Sequence, residues 1–162
     1  MNRIPLSSIG QDSHRFCTDK ERPLMLGGIK IQGGPGLLAN SDGDVVLHAV
    51  TNAVSGLTGE NILGEYTDKL CFDKNIKDSA VYLMEALKHL NDITLTHLSI
   101  SIECSRPRIS PYIKDMKRSI SHLLGLPDES IGITATSGEG MTSFGKGEGI
   151  SVICILSGMR EK

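Results

Sequence analysis

The stretch HLSISIE, residues 97–103, alternates apolar and polar side chains without a break. In an extended chain successive side chains point to opposite faces, so Leu98, Ile100 and Ile102 share one face and His97, Ser99, Ser101 and Glu103 the other. The spacing predicts a strand with one face buried and the other polar or partnered. IGITAT, residues 131–136, repeats the pattern with Ile131, Ile133 and Ala135 together, while ISVICIL, residues 150–156, is almost continuously apolar, as a central strand is. PLMLGGIKI, residues 23–31, reads as strand, turn and strand about Gly27-Gly28.

Three helices fall between these runs. The first follows SDGD, residues 41–44, with Asp42 or Ser41 as cap and Val46, Ala49, Val50, Ala53, Val54 and Leu57 at helical spacing. The second begins near Asp78 and carries Ala80, Leu83, Met84, Leu87 and Leu90 on one stripe. The third has Ser110 as N-cap, Pro111 at the first helical position and Gly125 past its end, with Ile113, Met116 and Ile120 inward. Together these elements predict an α/β (α+β) sandwich: one domain over residues 1–162, with a four- or five-stranded mixed sheet and helices on one face.

Composition narrows the function classes. Aromatic residues are 4% of the 162 and Trp is absent, which leaves no stacking platform for single-stranded nucleic acid. The net charge of −2 likewise lacks the basic surplus of a phosphate-backbone binder, so any phosphate recognised belongs to a small ligand. Cys17, Cys71, Cys104 and Cys154 form no C-x-x-C pair, which suits reduced thiols in a cytosol better than a disulfide framework or a thiolate zinc site. No apolar run reaches signal-peptide or membrane-span length, and a cytoplasmic protein with no membrane contact is expected.

Three clusters can carry chemistry. In Asp12-Ser13-His14 an extended backbone projects the carboxylate and the imidazole to the same side, and His48 on the first helix can join them. A His₂Asp set with one open position suits zinc acting as a Lewis acid, with Asp44, one turn before His48, placed to orient it. The ordinary alternative is a chance D-x-H turn, a core histidine, and helix-start carboxylates at Asp42 and Asp44. The second cluster, TATSGEGMTSFGKGEGI (residues 134–150), follows a strand with glycines and hydroxyls that can cradle phosphate, including Thr136 and Ser137, and with Glu139 placed for a divalent ion. Its ordinary alternative is a polar hairpin with a Lys146–Glu148 ion pair. The third, CSRPRISP (residues 104–111), is a rigid turn in which main-chain groups can read a base edge and Arg108 can meet a phosphate; solvated arginines are the ordinary alternative.

The ordered set GQDSHRF (10–16), GLLANSDGDVVLHA (36–49), SRPRISPYI (105–113) and ATSGEGMTSFGKGEGI (135–150) resembles the 2-C-methyl-D-erythritol 2,4-cyclodiphosphate synthase family over nearly the whole chain. The resemblance implies a homotrimer whose sheets meet around the trimer axis, with active sites between subunits. It implies conversion of 4-diphosphocytidyl-2-C-methyl-D-erythritol 2-phosphate to the cyclic diphosphate and CMP, in the non-mevalonate isoprenoid pathway. By position, Asp12, His14 and His48 match zinc ligands, and Glu139 matches the ligand of a second ion, Mg²⁺ or Mn²⁺. Asn40 and Ser137 match transition-state stabilisers. Ser13, Ser41, Gly64, Asp68 and Thr136 match substrate-binding positions; Cys104, Pro107, Arg108, Ile109 and Ser110 match the cytidine-binding turn; Lys146 and Glu148 match a unit lining the central cavity.

The chain departs from the family's pattern where Asn40 replaces a His before SDGD, because an amide donates a hydrogen bond without carrying charge. It departs again in ENILGEYTDKL (residues 60–70), where Ile62 stands at an acidic ribose-binding position. Two other functions fit the same residues: a noncatalytic phosphate- or isoprenoid-binding trimer, and a metal-dependent phosphohydrolase.

Overall fold

The computed structural model describes residues 3–161. Its elements in chain order are β1 (Arg3–Arg15), β2 (Leu24–Leu26), β3 (Ile29–Ile31), α1 (Val45–Thr58), α2 (Glu65–Lys74), α3 (Ser79–Leu87), β4 (Ile93–Glu103), α4 (Ile113–Leu124), β5 (Ile131–Thr136) and β6 (Gly149–Glu161). One four-stranded sheet runs β1-β6-β4-β5, with β4 and β5 parallel and the other pairings antiparallel. The expected mixed sheet is therefore present with four strands, and β2–β3 is a separate two-stranded ribbon.

Alternation sets the layers. Leu98, Ile100 and Ile102 of β4, Ile131 and Ile133 of β5, and Ile150, Val152, Cys154 and Leu156 of β6 are buried beneath the helices. The opposite face carries Ser99, Ser101 and His97, together with Ile9, Ile153 and Ile155, which stay 66%, 43% and 50% exposed. Thus β6 is central, as its apolar run predicts, yet the described residues leave one of its two apolar faces about half exposed.

Helix α1 is buried almost all round: the predicted stripe is inside, and Leu47, His48 and Thr51 are as well. Its N-cap is Asp44, whose carboxylate accepts from Leu47 N at 2.9 Å, rather than Asp42 or Ser41. Asp44 can do this because the same carboxylate also takes Gly27 N at 2.8 Å and Gly28 N at 2.7 Å. Those amides converge because Gly27 and Gly28 both have positive φ, 63° and 80°, the two-residue hairpin turn that joins β2 to β3. One buried side chain thereby starts α1 and ties the ribbon to it. Burial pushes the Asp44 carboxyl up to about 6, against the lowering effect of these three N–H groups and with Asp42 nearby raising it further.

Asp44→Ala is therefore expected to cost more than a lost cap. The cap is worth about 1 kcal/mol and a buried N–H left unpaired about 1–3 kcal/mol, so a loss of roughly 2–4 kcal/mol should appear in urea unfolding. A loss below about 1 kcal/mol would mean that the ribbon holds its place without this anchor.

Two further helix details differ from the sequence pattern. In α3 the inward residues are Ser79, Tyr82, Leu83 and Ala86, and Met84 is 51% exposed. Ser110 does not cap α4: a short 3-10 turn, Ser110–Tyr112, leads into it, and the Ser110 hydroxyl accepts from Arg108 Nε at 3.1 Å. The predicted stop at Gly125 holds, with φ 66°. Helix α2 has no apolar stripe beyond Thr67, Leu70 and Cys71; it begins with Gly64 N donating to Thr67 Oγ1 at 3.1 Å and ends at left-handed Asn75.

Candidate metal centre

Asp12 and His14 lie two apart on β1 and face the helices, and α1 crosses that strand so that His48, in its first turn, meets them. Asp12 Oδ2 is 2.9 Å from His14 Nε2 and 3.0 Å from His48 Nδ1, and the two imidazole nitrogens are 3.3 Å apart. Three donors around zinc at ordinary bond lengths stand roughly 3.3 Å from one another in a tetrahedron, which these separations approach. The donor set Asp12, His14 and His48, with ligand atoms all within 4.8 Å, thus fits one divalent ion.

Hydrogen bonding on the far side of each ring supports the fit. His14 Nδ1 lies 3.1 Å from the Leu38 carbonyl, an acceptor only, so Nδ1 carries a proton, and in the neutral ring that a metal requires the lone pair is on Nε2, turned inward. His48 Nε2 lies 2.9 Å from Ser79 Oγ and 3.3 Å from Ser41 Oγ, leaving Nδ1 to face Asp12. Burial raises the Asp12 carboxyl, but hydrogen bonds and positive charge from His14 and His48 outweigh it and hold it well below the usual range. The same Asp12 hydrogen bond raises His14 against the opposing effect of its burial. One carboxylate oxygen confronted by two inward-facing imidazole nitrogens is a place that calls for a cation.

The predicted orienting role of Asp44 is not what the fold contains. Asp44 meets His48 only through the backbone, His48 N donating to Asp44 O at 3.0 Å, because its carboxylate is engaged at the ribbon and the cap. The carboxylate nearest the outer side of His48 is Asp42, reached through Ser79, whose hydroxyl donates to Asp42 Oδ1. Ser79 went unseen in the sequence because it reads simply as the residue after the N-cap Asp78.

A cleft of about 650 Å³ opens on the triad, and Asn40, Ser41, Gly64 and Asp68 border it. Ser41 is buried, with its hydroxyl near His48 Nε2 and accepting from Gly43 N at 3.2 Å. Ile62, at the ribose-binding position implied by the resemblance, is instead a core residue, 5% exposed.

The remaining candidates lie elsewhere. Ser13 points to the other face of β1, where a cavity of about 430 Å³ is shared with Arg15, Phe144 and Glu148. Glu148 pairs there with Arg15, Nη1 to Oε2 at 3.1 Å, so in place of the Lys146–Glu148 ion pair of the ordinary alternative there is one between β1 and the loop before β6. Cys104, Pro107, Arg108, Ile109 and Ser110 form the turn after β4, joined to the end of β5 by Cys104 N donating to Thr136 O at 2.9 Å. Burial pushes the Cys104 thiol up to about 11, which favours its protonated form at neutral pH. Ser137 Oγ donates to Glu139 Oε1 at 3.3 Å in the adjoining loop, and Glu139 holds a left-handed φ of 49°. This second group lies at the β4–β5 side of the sheet and Asp12 and His14 on the β1 edge, edges that three strand spacings, roughly 14 Å, separate.

The sequence profile of the YgbB family matches residues 6–158, which takes in both groups. A 2-C-methyl-D-erythritol 2,4-cyclodiphosphate synthase of Chlamydia muridarum is 49% identical over 153 residues, covering 93% of this chain and 86% of the relative. Among solved structures, the bifunctional IspDF of Campylobacter jejuni superimposes with a TM-score of 0.88 at 28% identity, over 99% of this chain and 44% of that one. A CDP-bound 2-C-methyl-D-erythritol 2,4-cyclodiphosphate synthase superimposes with a TM-score of 0.74 at 29% identity, over 93% of this chain and 98% of that one. The chain belongs to the YgbB family, that of the 2-C-methyl-D-erythritol 2,4-cyclodiphosphate synthases.

Proposed function

We propose that this chain is a phosphorus–oxygen lyase of the non-mevalonate isoprenoid pathway. It closes 4-diphosphocytidyl-2-C-methyl-D-erythritol 2-phosphate into 2-C-methyl-D-erythritol 2,4-cyclodiphosphate and releases CMP. The observation that carries the reading is the triad, in which the outer nitrogens of both imidazoles have partners and the inner ones face a single carboxylate oxygen. The substrate's 2-phosphate oxygen forms a bond to the β-phosphorus as the α–β bridge breaks, and no protein nucleophile takes part. Zinc held by Asp12, His14 and His48, and Mg²⁺ or Mn²⁺ held by Glu139, supply when bound the positive charge that offsets two approaching phosphates.

The chain's own residues then bind and orient. Asn40 and Ser137 donate hydrogen bonds to oxygens that gain charge in the in-line displacement. Ser41, Gly64 and Asp68 border the methylerythritol side of the cleft, with Ser13, Thr136 and Lys146 as further substrate contacts. Cys104, Pro107, Arg108, Ile109 and Ser110 hold cytidine, chiefly through main-chain groups, with Arg108 directed to phosphate. Holding both phosphates in reach supplies the proximity term, which is the larger part of the work.

Two observations support a homotrimer with its sites between subunits. The triad and the cytidine turn occupy opposite edges of one sheet, so a single substrate bridges them most simply when the turn of one copy faces the triad of another. The half-exposed Ile9, Ile153 and Ile155 give the outer sheet face the apolar character of a contact surface. A cytoplasmic setting accords with the free cysteines; among the described residues no helix is long and apolar enough to cross a membrane.

Phosphorus NMR of the protein with substrate and Mg²⁺ is the test. CMP together with a cyclic diphosphate is expected. Free phosphate would identify a phosphohydrolase, and unchanged substrate with no binding of millimolar CMP would identify a noncatalytic binding protein.

A further inference from the structure

Ser79 opens α3, is 0% exposed, and touches groups from two other segments. Its hydroxyl oxygen is 2.9 Å from His48 Nε2 in α1, and its proton is directed to Asp42 Oδ1 in the loop before α1. A hydroxyl has one proton to give. An ionised carboxylate only accepts, so that proton belongs to Asp42, and the Ser79 lone pair is what remains for His48. His48 Nε2 must then be the N–H of its ring. In a neutral imidazole this leaves the lone pair on Nδ1, the nitrogen turned toward Asp12.

We propose that Ser79 and Asp42 are a positioning relay for His48, fixing its tautomer and ring rotation so that Nδ1 is ready for a divalent metal. The inference rests on the metal reading of Asp12, His14 and His48 and extends it to two residues that touch neither metal nor substrate. Asp42 is itself held fast: Oδ2 accepts from Ser79 N at 3.1 Å, Oδ1 accepts from Asp44 N at 3.0 Å, and its own N donates to Lys77 O at 2.8 Å. The relay therefore ties the ring to the backbone at the start of both helices. Ser41 Oγ is the competing partner, but it lies farther off, at 3.3 Å, and accepts from Gly43 N. Partners of this kind change metal affinity through the ligand they hold, with no contact of their own.

The test reads zinc affinity by chelator competition and the His48 Nε2 proton by ¹H–¹⁵N NMR of the zinc-loaded protein. Ser79→Ala and Asp42→Asn are each expected to weaken zinc binding about 10–100-fold, with Ser79→Thr, which keeps the hydroxyl, recovering most of it. The Nε2 proton should exchange slowly with water in the wild type and in Ser41→Ala, and quickly in Ser79→Ala. A folded Ser79→Ala that binds zinc as tightly as the wild type, or an equal loss in Ser41→Ala, overturns the relay. If Ser79→Ala does not fold, an Asp42→Asn protein with unchanged affinity and a slow Nε2 proton overturns it alone. Failure of the wild type to bind zinc through Asp12, His14 and His48 would be a separate result, sinking the metal reading itself.

Discussion

The His48→Ala protein is expected to be isolated without zinc and to release CMP at least about a thousandfold more slowly than the wild type. Partners that merely orient a ligand are worth roughly 10–100-fold, and His48 is a donor in its own right. The loss has an electrostatic side as well. Burial pushes the Asp12 carboxyl upward, and the hydrogen bonds and charge of His14 and His48 reverse that push. Removing one imidazole takes away part of the reversal, so Asp12 becomes a poorer anion just as the site loses a ligand. The fold should survive, because Asp44 and the ribbon anchor the start of α1 independently of the ring. CMP binding should survive too, since the turn at Cys104–Ser110 proposed to hold cytidine contains none of the triad residues. Metal analysis, CMP release and CMP titration separate these effects. Normal turnover by zinc-free His48→Ala would remove the triad from the chemistry.

Much of this arrangement can be read from the residues, and the places where it cannot have physical reasons. HLSISIE, IGITAT and ISVICIL announce strands because burial of one or both faces demands apolar spacing, and the strands form where that spacing occurs. Strand β1 is different: Ser8, Gly10, Asp12 and His14 occupy its inner face, so alternation is absent where the site and a closely packed helix need small or polar groups. Helix α2 escapes for the related reason that little of it is buried and its ends, Gly64 and Asn75, are backbone devices rather than a stripe. At the site, Asp12, His14 and His48 were recognisable from residue type and from the ordered family motifs. The partner of His48 was not, because Ser79 is brought to it by the packing of α3 on α1, which no local spacing encodes. Asp42 and Asp44 illustrate the same limit: two carboxylates two residues apart, of which Asp44 caps and anchors and Asp42 reaches the ring through Ser79.

Gly10→Ala should do more damage than any other single methyl group added to the sheet. A Cβ at Gly10 would stand 1.9 Å from the Ala49 carbonyl oxygen and 2.7 Å from Ala53 N, both backbone atoms of α1. Ordinary non-bonded contact lies near 3.5 Å, so the helix must retreat by more than roughly 1 Å. It has little freedom to do so, since Asp44 pins its start to the ribbon and its outer side packs on α3. Overpacking commonly costs about 1–3 kcal/mol, and a clash with rigid helix backbone belongs at or above the upper end. The retreat also draws His48 away from Asp12 and His14, whose donor atoms now lie within 3.3 Å of it. Stability and zinc affinity should therefore fall together in Gly10→Ala. Ser8→Ala is the control: it removes only the 2.5 Å hydrogen bond from Ser8 Oγ to Ala53 O, worth about 1 kcal/mol, and leaves the approach of strand to helix unchanged. A glycine in mid-strand usually weakens a sheet. Here it sets the distance at which a strand carrying two candidate ligands meets the helix carrying the third, and a Gly10→Ala protein with wild-type stability and zinc affinity would show that this distance is not what builds the site.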